Sequence, residues 1–421
     1  MHRDVVRSDP LLLASVFALL AVGLTMVYSA SFVVAHNEFG DDTYFLVRQA
    51  MAAFAGLILM AVTWRVDYRR WRSVSLPVML LTLASLVLVL VPGFGVANYG
   101  AQRWLQVGPL PPLQPSEFAK LGVALYWSDW LARKGDEVRR LGSGTLPFII
   151  ALGLVCGLIM LQPDLGTTFV LASMALCIFF VAGANLAHVI PCLIVGAVGL
   201  IWATLAAGYR QDRLAAFLDP WSDPQDTGWH TIQTLTALAS GGISGLGLGA
   251  GRQKFFYVPN AHTDAVYAIL GEELGFVGTL GVLLLFGVVV WRGVRAAHRA
   301  PDLFGRLLAT GITSMIAIQA IVNVAVTTNT LPYTGITLPF MSYGGSSLVV
   351  CLTATGILLN IARQSAAPVS VAADDRGTAS RDGRTGAGKP QRPRVHDRPL
   401  GRRPVRRERL RRPADGNAWG G

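Results

Sequence analysis

The sequence predicts an all-α polytopic membrane protein of about ten transmembrane helices, with one large extracellular loop between the seventh and the eighth. Three observations lead there. Hydrophobic residues fill 52% of the 421 positions and charged ones only 14%, too apolar for an ordinary soluble domain. Apolar stretches long enough to approach a bilayer's thickness recur along the first 365 residues. Basic residues gather in alternate short connections, the pattern that orients spans.

In order, the stretches centre on residues 11–34, 49–63, 74–92, 112–131, 145–161, 166–183, 186–207, 264–291, 307–328 and 339–362. The first is long enough to span, so it reads as a helix rather than a cleavable signal. The second is short for the roughly 20 residues a span requires, and "LQPDLGTT" leaves almost no loop between the fifth and sixth. The N-terminus (Arg3, Arg7), "TWRVDYRRWR", "RKGDEVRR" and "RGVRAAHRAPDLFGR" together hold 14 Lys and Arg, whereas the alternate short loops hold Arg48 and Arg103. Both termini are therefore expected in the cytoplasm and the loop 208–263 outside. Within that loop "TIQTLTALASGGISGLGLGAGRQKFFYVP" is apolar but broken by glycine, and reads as re-entrant or interfacial.

A net charge of +11 raises the question of nucleic acid, and its distribution answers it. From Ala366 onward 14 Lys and Arg face 6 Asp and Glu, leaving 22 basic and 19 acidic residues in the first 365. The excess belongs to a tail, 366–421, rich in Arg, Gly and Pro and too poor in large apolar residues to fold, which reads as a disordered cytoplasmic extension of the membrane domain 1–365. Beside a bilayer, anionic membrane lipids or an acidic partner account for it better than nucleic acid. Cys156, Cys177, Cys192 and Cys351 lie in apolar runs without a CxxC pair, so neither a disulfide framework nor a zinc site is indicated.

Ionisable groups inside spans are costly and so mark function by default. The eighth stretch carries three acids, Asp264, Glu272 and Glu273. Glu272 follows Asp264 by two helical turns, on the order of 12 Å, so both can look into one cleft, while Glu273 points roughly opposite and suits a partner on another helix. Asp264 follows Thr263 at a helix start, where capping competes with any chemical role. "AQRWLQVGPLPPLQPSEFAKL" brings Arg103, Trp104, Glu117 and Lys120 into the fourth span, the last two spaced for an ion pair on one face. Asp164 in "LQPDLGTT" reads as a local turn residue. In "TNTLPYTGITLPFMSYGGSSLVV", Ser342, Gly344, Gly345 and Ser346 offer N–H groups and hydroxyls to an anion at a helix start, with close packing of small residues as the equal alternative.

Taken together, "GLTMVYSAS", "RW" followed by "QPSEFAK", "QPDLGTT", "SGGISGLGLGAGRQKFFYVPNAHTDAVYAILGEELG" and "LPYTGITLPFMSYGGSS" resemble the SEDS proteins, the polytopic peptidoglycan glycosyltransferases of the FtsW, RodA and SpoVE types. The match runs across residues 10–365 and leaves out the tail; "GEELG" resembles the division and sporulation members more than the elongation ones. The resemblance implies a ten-helix enzyme of the bacterial cytoplasmic membrane that polymerises lipid II into glycan at the outer face, at the division septum, beside a class B penicillin-binding transpeptidase and other division proteins. It places the family's essential acid on Asp264, in "HTD" with His262. On this reading Asp264 takes the proton of the acceptor sugar. Arg103, Arg48, Lys254 and Arg252 offset diphosphate charge, Glu117 and Lys120 shape the cavity, and Trp104, Glu272 and the serines and glycines near 345 complete the substrate-binding set. No cofactor is evident, and a divalent cation, Mg or Mn, is compatible with the diphosphate. The chain departs from the family in Asn260, where an acid is usual, and in "DAVYA" after Thr263. A lipid II flippase and a non-enzymatic division scaffold are the alternatives.

Overall fold

In the computed structural model, residues 9–98, 101–106, 108, 112–205 and 208–365 are described; the tail 366–421 and Arg3 and Arg7 lie outside them. Each of the ten apolar stretches is a helix. α1 (Pro10–Phe39) opens on Asp9, whose side chain accepts from Leu12 N, and closes on Gly40 in the left-handed region. α2 (Tyr44–Arg65) is longer than its apolar stretch because Tyr44 and Arg65 extend it at the two ends. α3 (Trp71–Leu90) leads to a short antiparallel hairpin, β1 (Gly95–Asn98) and β2 (Ala101–Leu105), in which Val96 faces Trp104. α4 (Pro115–Lys134), α5 (Leu146–Met160), α6 (Leu165–Val181) and α7 (Leu186–Leu205) follow. The long loop then carries two helices of its own, α8 (Gly208–Leu218) and α9 (Trp229–Gly241). α10 (Val266–Arg299), α11 (Leu303–Thr327) and α12 (Gly345–Ser365) complete the chain.

Seven of the described helices are long and apolar enough to cross a membrane. α4 is excluded from that set by Glu117, Lys120 and Asp129, all buried, and α6 by its length of 17 residues. The division between inner and outer helices is clear. α11 and α12 are mostly buried, whereas α2 and α3 expose Met51, Phe54, Leu80 and Leu81 to the surroundings. Such a continuous apolar exterior is favourable only against lipid, which makes this a multi-pass membrane protein. α12 sits directly against α2: a Cβ on Gly356 would lie 2.4 Å from the Met60 carbonyl oxygen.

α10 is not one helix. Gly275 (φ 65°, ψ −164°) breaks it, and the backbone groups released at the break are taken up by the glycine-rich segment of the preceding loop. Phe276 N and Val277 N donate to the carbonyls of Gly242 and Ile243, and Leu246 N and Gly247 N donate to those of Glu272 and Glu273. In an apolar medium each unpaired N–H or C=O costs several kcal/mol, so four such bonds make a broken helix tolerable there. The segment read as re-entrant or interfacial carries α9, which at 13 residues is too short to span and packs on α10.

Candidate active site

The three acids of the eighth stretch, all before the break at Gly275, part company. Glu273, fully buried, accepts from Ser29 on α1 (2.7 and 2.8 Å) and from Lys254 Nζ (2.7 Å), so it pairs across to another helix as its azimuth indicates. Lys254 is 1% exposed, and its ammonium also reaches Ser29 Oγ at 3.1 Å and the Gly249 carbonyl at 2.7 Å. The expectation that Lys254 offsets diphosphate charge is therefore corrected: a cation enclosed by a carboxylate, a hydroxyl and a carbonyl has no donor left for substrate. Glu272 is corrected likewise. It does not share a cleft with Asp264 but accepts from the backbone N–H of Arg252 (2.7 Å) and Gln253 (3.2 and 3.3 Å), which anchors the loop.

Asp264 stands apart. The helix begins at Val266 with Ala265 as its cap residue, so the Asp264 carboxylate does not cap it. Instead Oδ1 accepts from the Thr263 hydroxyl at 2.8 Å and Oδ2 from the Tyr333 hydroxyl. Asp264 is 9% exposed, at the end of the bundle where α4, α6, α10 and α12 begin. Asn323 of α11 donates to the Asp264 carbonyl (2.9 Å) and the Ile336 carbonyl (2.8 Å), tying this turn to the loop before α12. Asn260 explains one departure from the family: it adopts φ 52°, which asparagine tolerates, and its carbonyl accepts from Thr263 N at 3.0 Å and shares the Thr263 hydroxyl proton, 3.0 Å away, with Asp264 Oδ1.

His262 and His230 flank the carboxylate. Burial pushes the His262 imidazole down to about 4, against the opposing pull of the Asp264 charge. Its ring packs on Phe45 and Tyr343, and its carbonyl accepts from Tyr343 N at 2.8 Å. Burial likewise lowers His230, whose ring centroid is 4.4 Å from that of Tyr333. Burial first, and then the Asp264 charge, holds the Tyr333 hydroxyl well above its ordinary value, so it remains a donor. His230 and Tyr333 carried no assignment from sequence. The signals were a histidine beside Trp229 in the long loop and a tyrosine between proline and threonine, neither of which points at an acid 34 or 69 residues away.

The remaining residues sort by what they touch. Glu117 and Lys120 form a buried ion pair at 2.7 Å inside the bundle. Asp164 caps α6, accepting from Thr167 N (3.0 Å) and Thr167 Oγ1 (2.8 Å), the local role read from its turn. Arg103 donates through Nε to the Gln162 carbonyl (3.0 Å) and through Nη2 to that of Pro163 (2.5 Å), and its charge reaches Tyr333. Its neighbour Trp104 stays in the hairpin opposite Val96. Arg48 is exposed, with its guanidinium 4.2 Å from the Tyr44 ring centre, and Arg252 is exposed on the loop. The segment before α12 takes part in packing. Ser342 Oγ accepts from Leu338 N (2.8 Å), Gly344 N donates to Gln49 Oε1 (3.2 Å) and Ser346 Oγ accepts from Gln114 N (3.1 Å). A Cβ on Gly345 would meet that of Ala52 at 3.4 Å. The bonds from Gly344 and to Ser346 join α12 to α2 and α4, the packing role. Among the described residues no group of three or more His, Cys, Asp or Glu assembles as a metal-ligand set.

The profile of one family, described as "cell cycle protein" and covering FtsW, RodA and SpoVE, matches residues 10–367. The chain belongs to that family. It is 46% identical over 360 residues to stage V sporulation protein E of Bacillus subtilis (strain 168), covering 85% of this chain and 97% of that one. It is 44% identical over 353 residues to a probable peptidoglycan glycosyltransferase FtsW of Trichlorobacter lovleyi, covering 84% and 92%. Among solved structures, a chain of a peptidoglycan synthase complex studied for the coordination of polymerization and crosslinking superposes with a TM-score of 0.69 at 32% identity, covering 85% and 98%. The rod shape determining protein RodA of Thermus thermophilus follows at 0.63 and 31%, covering 85% and 97%. The family's membrane domain therefore spans nearly all the described residues.

Proposed function

We propose that this chain is a peptidoglycan glycosyltransferase of the FtsW type that polymerises lipid II into glycan strands, with Asp264 as its general base. One observation supports the assignment of the base above the rest. The other buried acids are more fully partnered: Asp9 by Arg292, Glu117 by Lys120, Asp129 by Arg72 and Arg133, Asp164 by Thr167 N, Thr167 Oγ1 and Gln114 Nε2, Glu272 by backbone N–H groups, Glu273 by Lys254. Asp264 meets only two hydroxyls and, among the described residues, no ion-pair partner. A carboxylate has about four acceptor positions, so two remain for a substrate hydroxyl.

The chemistry asks for little more. The 4-hydroxyl of the acceptor sugar gives its proton to Asp264 as its oxygen bonds to the anomeric carbon of the donor. The bond from that carbon to the lipid diphosphate breaks, and the diphosphate departs with the electron pair. Diphosphate leaves readily, so one base and nearby positive charge suffice. Arg103, Arg48 and Arg252 are the cations that keep free surface or donors for it, while the Glu117–Lys120 pair keeps the interior beneath the site rigid.

The reading places the Asp264 end of the bundle outside the cytoplasmic membrane, both termini and the basic tail inside, and the enzyme at the septum with a class B penicillin-binding transpeptidase. The crosslinking named for the structural relative supports that partnership. A transporter would draw on the broken helix and the intramembrane acids, and both are closed here by the chain itself. The test is polymerisation of purified lipid II by Asp264→Asn. The expected result is a fall on the order of 10³-fold with lipid II binding and melting temperature retained; polymerisation at near the normal rate would overturn the assignment.

A further inference from the structure

Tyr333 lies in the Pro/Gly-rich approach to α12 and is the point where three parts of the chain meet at Asp264. Its hydroxyl donates to Asp264 Oδ2 and its ring packs on His230 of α9. The guanidinium carbon of Arg213 on α8 lies 4.9 Å from its ring centre, and Arg213 Nη1 donates to its carbonyl at 3.4 Å.

We infer that Tyr333, itself held by His230 and Arg213, is the positioning residue of Asp264: its phenol fixes the plane of the carboxylate and leaves the acceptor hydroxyl a single direction of approach. The inference rests on Asp264 being the base. A carboxylate turns easily about its terminal bond, because that torsion is broad and roughly two-fold. One donor cannot stop it. Thr263 on Oδ1 and Tyr333 on Oδ2 together pin both oxygens. Tyr333 therefore supplies orientation, which matters most when alignment of the reacting atoms governs the rate.

The groups that face this pair are Thr263 and His262 from its own turn, His230 from α9, Arg213 from α8, Arg103 from β2 and Asn323 from α11. His262 and His230 are both depressed by burial and so neutral at neutral pH, and Tyr333 keeps its proton throughout the working range. Aromatic packing alone would be satisfied by phenylalanine. The hydroxyl is the part that touches the carboxylate.

The experiment measures kcat and KM for lipid II polymerisation by the full-length protein, Tyr333→Phe and Asp264→Asn, and by the protein with 3-fluorotyrosine at position 333. Tyr333→Phe keeps the ring and loses the donor, so kcat falls roughly tenfold with little change in KM. The fluorinated phenol keeps a donor of nearly the same size and holds kcat within about twofold of the parent. If Tyr333→Phe keeps the kcat of the parent while Asp264→Asn is inactive, the inference fails and the base assignment stands. If Asp264→Asn is active, both fail. Should Tyr333→Phe lose melting temperature, kcat per folded molecule decides: an unchanged value overturns the inference.

Discussion

Asp264 and Glu273 are nine residues apart on one stretch of chain, and they have opposite fates. Glu273 is enclosed where α10 breaks, matched by an ammonium and a hydroxyl at hydrogen-bonding distance and sealed from its surroundings. Asp264 sits at the helix mouth, held by two hydroxyls that orient it without neutralising it. The difference teaches that an acid in a membrane bundle is assigned by its partners rather than by its depth. A complete set of opposing charge makes it a strut; an incomplete one leaves it able to accept a proton.

Four substitutions or titrations test that contrast. Glu273→Ala has the largest expected effect on folding, because it strands the Lys254 charge in the interior at a cost of about 3–5 kcal/mol. Denaturant unfolding of the purified protein should read this loss, while the molecules that remain folded polymerise normally. Replacing the pair together, Glu273→Leu with Lys254→Met, should recover most of it; no recovery would mean the site does more than balance charge. Gly275→Ala comes next. It forces a side chain into φ 65° with its Cβ 2.3 Å from Gly245 N, a strain of about 1–3 kcal/mol that should expose residues 242–254 to limited proteolysis.

The third concerns His262. Its folded value of about 4 lies below the ordinary 6.5, so the unfolded chain takes up the proton first as pH falls. Stability is complete above pH 6.5 and declines toward pH 4. Allowing for partial exposure, the loss between pH 7.5 and pH 5 is about 1 kcal/mol, and His262→Gln should flatten it in a pH series of melting curves. The smallest effect is expected from Thr263→Ala, which removes one of two donors to Asp264. The rate should fall roughly fivefold, with melting temperature unchanged. A larger effect here than at Tyr333 would transfer the orienting role to Thr263.

The spans were legible because hydropathy alone fixes which segments can leave water, and the pairing of Glu273 followed from helical azimuth. Three things were not. Thr263 and Asp264 look like a cap, and only the arrival of Tyr333 from the far loop draws the carboxylate away from the helix end. Lys254 reads as a free cation because nothing local shows that the glycine-rich segment will carry it into the bundle against Glu273. The serines and glycines before α12 look equally suited to an anion or to packing. Their packing partners are Gln49 on α2 and Gln114 at the start of α4, more than 200 residues distant. In each case the deciding contact is long-range and has no periodic trace.

The interruption at Gly275 bears on how the protein is made. The part of α10 before it is about nine residues long, too short to cross a bilayer unaided. Its dangling amides and carbonyls find partners in residues 242–247, which precede it in the chain and leave the ribosome first. Neither segment can rest in an apolar medium with its backbone groups paired until it has met the other, so the two enter the bundle as one cooperative unit.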